Sequence, residues 1–210
     1  MPELPEVEHV KRGIEPYAIN TTINKITFSE NVKKGKEDNR ETIIKGMTLD
    51  SFQRLTEGYT ITKIERRSKY IVFYINRDSE QRILISHLGM AGGFFVVDHL
   101  EQIAVPNYRK HWQVIFELDN GKKLIYSDIR RFGEIRNVSS FDAYPSFLSI
   151  APEPFDEDAM QHFLDITNKK NYAKKPIKQV ILDHKVISGC GNIYACEALF
   201  RAGILPNRLT

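Results

Sequence analysis

Residues 59–88 read YTITKIERRSKYIVFYINRDSEQRILISHL, and this stretch contains three strand-like runs in direct succession. The runs YTITKIERR, KYIVFYI and RILISHL are rich in the β-branched and aromatic residues that favour extended strands. Further runs of the same kind lie between residues 22 and 138: INKITF, GFFVVD, WQVIFEL, KLIYSD and GEIRNV. Turn signals such as Leu118–Gly121 separate them. About eight short strands joined by hairpins are typical of a β-sandwich or a β-barrel.

Helical patterns flank this β-rich region. Residues 4–17 place apolar side chains at helical spacing and acids in the first turn, which predicts a short amphipathic helix. Residues 48–56 predict a helical insert among the strands. Later helices are predicted over residues 156–168, 176–182 and 192–201.

These patterns predict an α+β fold with two domains. The first domain, residues 1–140, combines the N-terminal helix with an eight-stranded β-sandwich. A proline-bearing linker follows over residues 141–155, and residues 156–210 form an incomplete helical domain.

Composition narrows the class of protein. The chain has 210 residues, of which 41% are hydrophobic and 27% charged, so it can form a real core in water. No apolar run reaches the roughly 18 residues that a membrane helix needs, and the N-terminus lacks the pattern of a signal peptide. We therefore expect no membrane association and a cytoplasmic location.

Charge is distributed unevenly along the chain. The net charge of +3 (30 basic minus 27 acidic residues) is by itself weak evidence for any partner. The segment from Lys169 to Lys185, however, contains six lysines and a single acidic residue, Asp183. Such a cluster of positive charge suits binding to a phosphate backbone. A solvated surface explains such a run equally well on these residues alone.

The two cysteines do not form a metal-site pattern. Cys190 and Cys196 are too few for a structural zinc site and lack the C-x-x-C spacing. We predict buried or inert thiols, no metal and no cofactor in this chain.

Pro2 carries the first candidate for catalysis. Removal of Met1 would leave a secondary amine at the chain end, and an α-amine titrates near about 7.7–8.0, so part of it is unprotonated at neutral pH. Attack of such an amine on an anomeric carbon yields an iminium, and the neighbouring Glu3 is a candidate general acid. An ordinary helix start explains the same residues, so this pattern gains weight only together with others.

Five motifs in order resemble the bacterial formamidopyrimidine-DNA glycosylase family. They are PELPEVE from residue 2, RRSKY, HLGMAGGF, DIRRFGEIR and SGCGNIYACEALFRAGILPNR, ending at residue 208. The opening PELPEVE favours this family over the related endonuclease VIII, which prefers oxidised pyrimidines. The resemblance implies base-excision repair: removal of 8-oxoguanine and formamidopyrimidines from double-stranded DNA, followed by β,δ-elimination at the abasic site through a Schiff base.

The resemblance also implies catalytic roles. Pro2 matches the nucleophile, Glu3 the acid that assists opening of the sugar ring, and Glu6 a supporting acid. Lys69 matches the lysine that contacts phosphate near the lesion and donates a proton in β-elimination; the alternative is a solvated lysine at a strand end.

DNA contacts follow from the same resemblance. Met90, Arg130 and Phe132 match the side chains that fill the space left by an everted nucleotide; alternatively, Met90 and Phe132 are core residues at turn ends. Asn192 is expected to begin a helix of the helix-two-turn-helix motif, whose backbone amides receive a phosphate. The remaining expected contacts to the DNA backbone are His87, Lys110, His111, Lys174 and Lys178.

The chain is shorter than the family pattern. The family continues with further helices and a four-cysteine zinc finger, so we expect a C-terminally truncated member that acts as a monomer. Two activities stay open: the bifunctional glycosylase and AP lyase, or a non-catalytic fragment that only binds damaged DNA.

Overall fold

The computed structural model describes residues 2–40 and 42–210. The strands in this part of the chain are β1 (Ile23–Phe28), β2 (Ile44–Lys45), β3 (Thr60–Arg67), β4 (Tyr70–Arg77), β5 (Glu80–His87), β6 (Gly92–Val97), β7 (Trp112–Leu118), β8 (Lys123–Asp128) and β9 (Glu134–Val138). The helices are α1 (Leu4–Ala18), α2 (Glu30–Glu37), α3 (Leu49–Arg54), α4 (Pro106–Lys110), α5 (Pro145–Leu148), α6 (Ala159–Thr167), α7 (Ile177–Ile181) and α8 (Asn192–Arg201).

The strands form two sheets. One has the order β1-β7-β8-β6 and the other β2-β9-β5-β4-β3, and every pairing is antiparallel except that of β2 with β9. The predicted α+β fold with a two-sheet sandwich is confirmed. β3, β4 and β5 are consecutive hairpins, as residues 59–88 predict, and the Arg67–Tyr70 pair leaves only residues 68 and 69 in the first turn.

The main core lies between the sheets and is closed by α1. Val7, Ile14 and Ala18 of α1 are buried and belong to the same apolar cluster as strands of both sheets, including Phe73 of β4 and Phe116 of β7. The amphipathic spacing of residues 4–17 therefore predicts this helix correctly, because one face packs on β3 and β6.

The predicted linker is a packed segment. Phe147 of α5 and Ile150 are buried on the outer face of the five-stranded sheet, where they join Val72 and Ile85. Residues 141–150 therefore form a second apolar layer instead of a free tether, which fixes the chain direction at the entry to the helical part.

The helical part has a small core of its own. Tyr172, Val180 and Val186 are buried together. The chain after α8 returns along α7, where the Ile177 amide donates to the Arg208 carbonyl at 2.7 Å. Helix α8 has the predicted limits.

The structure differs from the prediction in the number of elements and in one helix boundary, and the short helices α4 and α5 were not predicted. The two-residue strand β2 raises the strand number above eight, because a pair this short has no alternation to detect. Helix α2 was not predicted; Ser29 accepts a hydrogen bond from the Val32 amide as its cap. Helix α6 begins at residue 159 instead of 156, because Asp156 accepts from the Glu153 amide at 2.8 Å and forms a turn.

Candidate active site

The carboxylate of Glu3 joins the start of the chain to α8. Its side chain is 1% exposed and accepts hydrogen bonds from the backbone amides of Gly191 (2.8 Å), Ile193 (2.9 Å) and Tyr194 (3.2 Å). A helix leaves its first amides without partners inside the helix. Glu3 satisfies two of those of α8, Ile193 and Tyr194, together with the amide of Gly191 directly before the helix, and thereby fixes the N-terminus of the chain against the helical part.

Two glycines permit this contact. A Cβ atom on Gly191 would lie 2.5 Å from Cδ and Oε1 of Glu3, so only glycine leaves room for the carboxylate. Gly189 has φ of +73°, and a Cβ atom there would lie 2.6 Å from the side chain of Leu4. The Leu4 amide donates to the Gly189 carbonyl at 3.2 Å. Residues 188–191, called the glycine loop below, thus enclose residues 3 and 4.

Glu6 holds Glu3 from the other side. Its carboxylate accepts from the Glu3 amide (2.8 Å) and from the Tyr194 hydroxyl (2.9 Å). Burial raises the pKa of Glu6, but these hydrogen bonds outweigh burial, so its pKa lies below the usual value. Glu6 is therefore charged at neutral pH and stabilises the turn that leads to Pro2.

Pro2 is half-buried and faces a groove on the β-sandwich. The groove has a volume of about 530 Å³ and is lined by Pro2, Pro5, Glu6, His9, Val10, residues 92–95 and Tyr108. The nucleophile predicted from the sequence thus lines this groove and directly precedes Glu3, whose carboxylate is fixed.

Lys69 lies in the tight turn between β3 and β4. It is half-buried and lines a pocket of about 210 Å³ together with His87, Gly189 and Cys190. Burial lowers the pKa of Lys69, and the nearby groups Glu3 and Cys190 only partly oppose this. Lys69 therefore loses its proton more readily than a solvated lysine and lies close enough to Glu3 for their charges to interact.

Met90, Arg130 and Phe132 are presented by two loops in direct contact. Met90 is 40% exposed and Phe132 is 60% exposed, so neither is a core residue. The Arg130 guanidinium lies over the Phe132 ring, 4.9 Å from its centroid. Buried Asp128 accepts from the amides of Arg130 (3.0 Å) and Gly133 (2.8 Å), which fixes this loop.

Gly89 sets the distance between the two loops. It has φ of +62°, and a Cβ atom would lie 2.4 Å from the Gly133 nitrogen, whereas Gly121, with φ of +83°, has open space around it.

We expect Gly121→Ala to lower the free energy of unfolding by about 1 kcal/mol, because alanine is strained in a left-handed backbone. We expect Gly89→Ala to lower it by about 2–4 kcal/mol, because crowding against Gly133 adds to this strain. Urea unfolding of both variants measures the difference, and equal losses would contradict the contact.

The His87 ring is hydrogen-bonded to the loop that carries Met90. Its Nδ1 accepts from the Gly89 amide at 3.0 Å, which assigns the proton of the neutral ring to Nε2. Burial lowers the pKa of His87 below the usual 6.5, and the charge of Glu134 only partly opposes this. The predicted phosphate contact of His87 stays a prediction; in the structure its Nδ1 accepts from the loop that carries Met90, and its ring packs on that of Tyr70, with centroids 5.0 Å apart.

Acid is expected to destabilise the protein through His87. The unfolded chain binds a proton near pH 6.5 and the folded chain only at lower pH, so stability falls as the pH drops between these two values. Urea unfolding at about pH 7.5 and about pH 5.5 compares the parent with His87→Asn, which cannot titrate in this range. The same pH dependence in both proteins would be evidence against this contribution.

The other predicted DNA contacts occupy two regions. Lys110 ends α4 and is exposed, and the carbonyl of half-buried His111 accepts from the Asp128 amide at 3.0 Å, beside the Arg130 loop. Lys174 is exposed and half-buried Lys178 lies in α7. Whether any of them contacts DNA stays a prediction.

Asn192 begins α8 as predicted, and its side chain is exposed. The amides of Gly191, Ile193 and Tyr194 donate to Glu3, so they are not free for a phosphate, whereas the amide of Asn192 does not donate to Glu3. The contact of Asn192 with a phosphate stays a prediction.

The two thiols differ in exposure. Cys190 is half-buried and Cys196 is exposed, so neither is fully buried, and their inertness stays a prediction. Within residues 2–40 and 42–210, no cluster of His, Cys, Asp or Glu could hold a metal ion, and no helix is long and apolar enough to cross a membrane. Two cysteines cannot supply the four thiolates of the zinc finger that the resemblance implies for the family.

Two important residues carried no recognisable pattern. Ser68 and Glu153 connect the Lys69 turn to the glycine loop, yet a single serine and a single acid in a proline-rich segment resemble ordinary loop residues. Ser68 is 85 residues from Glu153 and 121 residues from Gly189, separations that no local pattern reveals.

Comparison with known proteins agrees with this arrangement. The model of the formamidopyrimidine-DNA glycosylase N-terminal domain matches residues 1–135, and that of the H2TH domain of the same enzymes matches residues 150–210. A formamidopyrimidine-DNA glycosylase of Dinoroseobacter shibae is 36% identical over 216 residues, covering 99% of this chain and 70% of the relative. One of Streptococcus agalactiae is 36% identical over 211 residues, covering 100% of this chain and 69% of the relative.

Solved structures of Lactococcus lactis Fpg have the same fold. One is a complex with an abasic site containing DNA, with a TM-score of 0.78 and 30% identity over 99% of this chain and 70% of that one. Another, of a mutant with a Fapy-dG containing DNA, also has a TM-score of 0.78 and 30% identity, over 99% and 69% of the two chains. The chain thus spans about 70% of the length of its relatives. It belongs to the formamidopyrimidine-DNA glycosylase family of base-excision repair enzymes.

Proposed function

We propose that this chain excises oxidised purines, including 8-oxoguanine and formamidopyrimidines, from double-stranded DNA and then cleaves the strand at the abasic site. The observation that carries this proposal is the set of three amide hydrogen bonds to the Glu3 carboxylate. These bonds fix the carboxylate next to Pro2 and near the Lys69 turn. Amine-based glycosylase and lyase chemistry needs an amine held in place, a carboxylate beside it and a group that exchanges protons, here a lysine with a lowered pKa.

The proposed reaction starts at the Pro2 nitrogen once Met1 has been removed; with Met1 present, that nitrogen is an amide and cannot attack. The amine forms a bond to C1′, the C1′–base bond breaks, and the base leaves with a proton. Glu3 donates a proton to the sugar oxygen O4′ as the ring opens, and the amine lone pair completes the iminium. Glu3 is suited to this step because its amide donors hold its direction.

Strand cleavage follows from the iminium. Loss of a C2′ proton sends an electron pair to the C2′–C3′ bond and expels the 3′-phosphate; a second elimination expels the 5′-phosphate. We assign Lys69 to proton transfer in the first elimination, since burial lowers its pKa and lets it exchange protons nearer to neutral pH. No group among the described residues is assigned to the second elimination.

The exposed loops supply access to the lesion. A base in a duplex must be everted before an amine can reach C1′. We assign Met90 and Phe132 to filling the resulting gap and Arg130 to hydrogen bonding with the unpaired partner base. The lysines of residues 169–185, with His111 and Asn192, are proposed to bind the phosphates, and the chain is proposed to act as a monomer.

Borohydride trapping tests the proposal. The duplex carries 8-oxoguanine opposite cytosine, mass spectrometry establishes that Pro2 is the first residue, and Pro2→Gly is the control, because its primary amine lacks the fixed ring. We expect a covalent adduct with the parent and at least about a hundredfold less with the control. No adduct despite a free Pro2, together with salt-sensitive binding, would leave the alternative of a fragment that only binds damaged DNA.

A further inference from the structure

Glu153 is connected to two parts of the proposed active site, the turn that carries Lys69 and the glycine loop, although it lies in the segment between the two domains. We propose that Glu153 is a positioning residue: it fixes the turn that carries Lys69 against the glycine loop that receives Glu3. The inference rests on the proposed function of Lys69, but it concerns how the protein holds that side chain.

The first contacts of Glu153 are to both loops. Its Oε1 accepts from the Ser68 amide at 2.6 Å and from the Ser188 hydroxyl at 3.2 Å. Ser68 directly precedes Lys69, and Ser188 begins the glycine loop. One carboxylate oxygen thus connects the turn between β3 and β4 to the loop that encloses Glu3.

Arginines complete the surroundings of the carboxylate. Glu153 Oε2 accepts from Arg66 at 2.6 Å, and Arg66 also pairs with Glu8 of α1 at 3.0 Å. Arg67 pairs with Glu153 at 3.3 Å and donates to the Ile150 and Ala151 carbonyls. The side chains of Arg66 and Glu153 are only 12% and 16% exposed. Because a poorly exposed charge left without its partner is costly, removal of Glu153 affects the whole group.

The Lys69 turn depends on these contacts for its shape. Ser68 has φ of +58°, a left-handed conformation that is unfavourable for residues other than glycine. The Ser68 amide donates to Glu153, and the Ser68 carbonyl accepts from Arg66 at 3.1 Å. The Ser68 hydroxyl accepts from the Gly189 amide at 2.9 Å. Every polar group of Ser68 is therefore occupied, and tertiary contacts impose the backbone conformation that directs Lys69.

Hydrogen exchange of the DNA-free protein tests the structural half of the inference. Glu153→Ala removes all side-chain contacts of Glu153, and Glu153→Gln keeps one acceptor for the Ser68 amide. Glu157→Gln, which removes an exposed acid four residues away, is the control. We expect the amides of Ser68 and Gly189 to exchange about tenfold faster or more in Glu153→Ala, by less in Glu153→Gln and at the parent rate in the control. If Glu153→Ala does not fold, the exchange rates of the same two amides in Glu153→Gln test the inference. Unchanged exchange at both amides would overturn the inference.

A double-mutant cycle tests whether Glu153 acts through Lys69. Single-turnover cleavage is measured for the parent, Glu153→Gln, Lys69→Met and the double variant. We expect Glu153→Gln to slow the parent about tenfold and the Lys69→Met protein less than about twofold, because the group it positions is then gone. Equal slowing in both backgrounds would mean general destabilisation and would overturn the positioning function. If the parent itself neither traps nor cleaves DNA, the proposed function fails, whereas the exchange result still decides the contacts of Glu153.

Discussion

Gly191→Ala is expected to abolish covalent trapping of lesion DNA, although it adds only one methyl group. A Cβ atom at this position would lie 2.5 Å from Cδ and Oε1 of Glu3, closer than real side chains approach. The backbone at Gly191, with φ of −129°, is one that alanine adopts freely, so the effect arises from crowding alone. We expect the carboxylate to shift away from the amides of α8, which removes the contacts that hold the backbone next to Pro2.

The expected size is at least about a hundredfold in the rate of borohydride trapping, because small displacements of a nucleophile have large effects. Loss of the amide contacts is expected to lower the free energy of unfolding by about 2–3 kcal/mol. The control is Gly13→Ala in the middle of α1, where a Cβ atom meets nothing within 4 Å. It is expected to leave trapping unchanged and to stabilise the helix by up to about 1 kcal/mol. Trapping of Gly191→Ala at the parent rate would show that Glu3 does not need its amide contacts.

Lys69→Met is expected to make the protein more stable and less active. Methionine keeps a long, unbranched side chain but carries no charge. Because burial lowers the pKa of Lys69, its folded-state pKa lies below the unfolded value of 10.5. Below the folded-state pKa the buried ammonium destabilises the fold fully, and the cost disappears as the pH rises towards the unfolded value. The gain in stability of Lys69→Met is therefore greatest at neutral pH and shrinks in alkali.

Cleavage is expected to fall in the same variant by about a hundredfold or more, the usual contribution of a positioned proton donor. Urea unfolding at neutral and alkaline pH and single-turnover cleavage of an 8-oxoguanine duplex measure the two effects. Lys25→Met is a suitable control, since Lys25 is an exposed lysine on β1 and should change neither quantity. Parent-level cleavage by Lys69→Met would remove Lys69 from the mechanism.

Several parts of the molecule follow directly from local patterns in the sequence. The eight predicted strands all form, and the limits of α8 are those predicted, because alternation and helical spacing depend on residues only a few positions apart. Helix α2 was missed, since the lysines and glycine of residues 30–37 weaken the apolar pattern. β2 was missed because its pairing with β9 is a contact between segments about 90 residues apart.

The sequence by itself determined the class of fold, the order of the elements and the short list of Pro2, Glu3, Lys69, Met90, Arg130 and Phe132 as candidate site residues. Only the tertiary structure decided how these groups are held. The Glu3 carboxylate binds amides 188 residues or more along the chain, and the turn that carries Lys69 is held by Glu153, 85 residues from Ser68. Local patterns record the interactions of neighbouring residues, whereas the arrangement of this site depends on hydrogen bonds and close glycine contacts that exist only after distant segments have packed together.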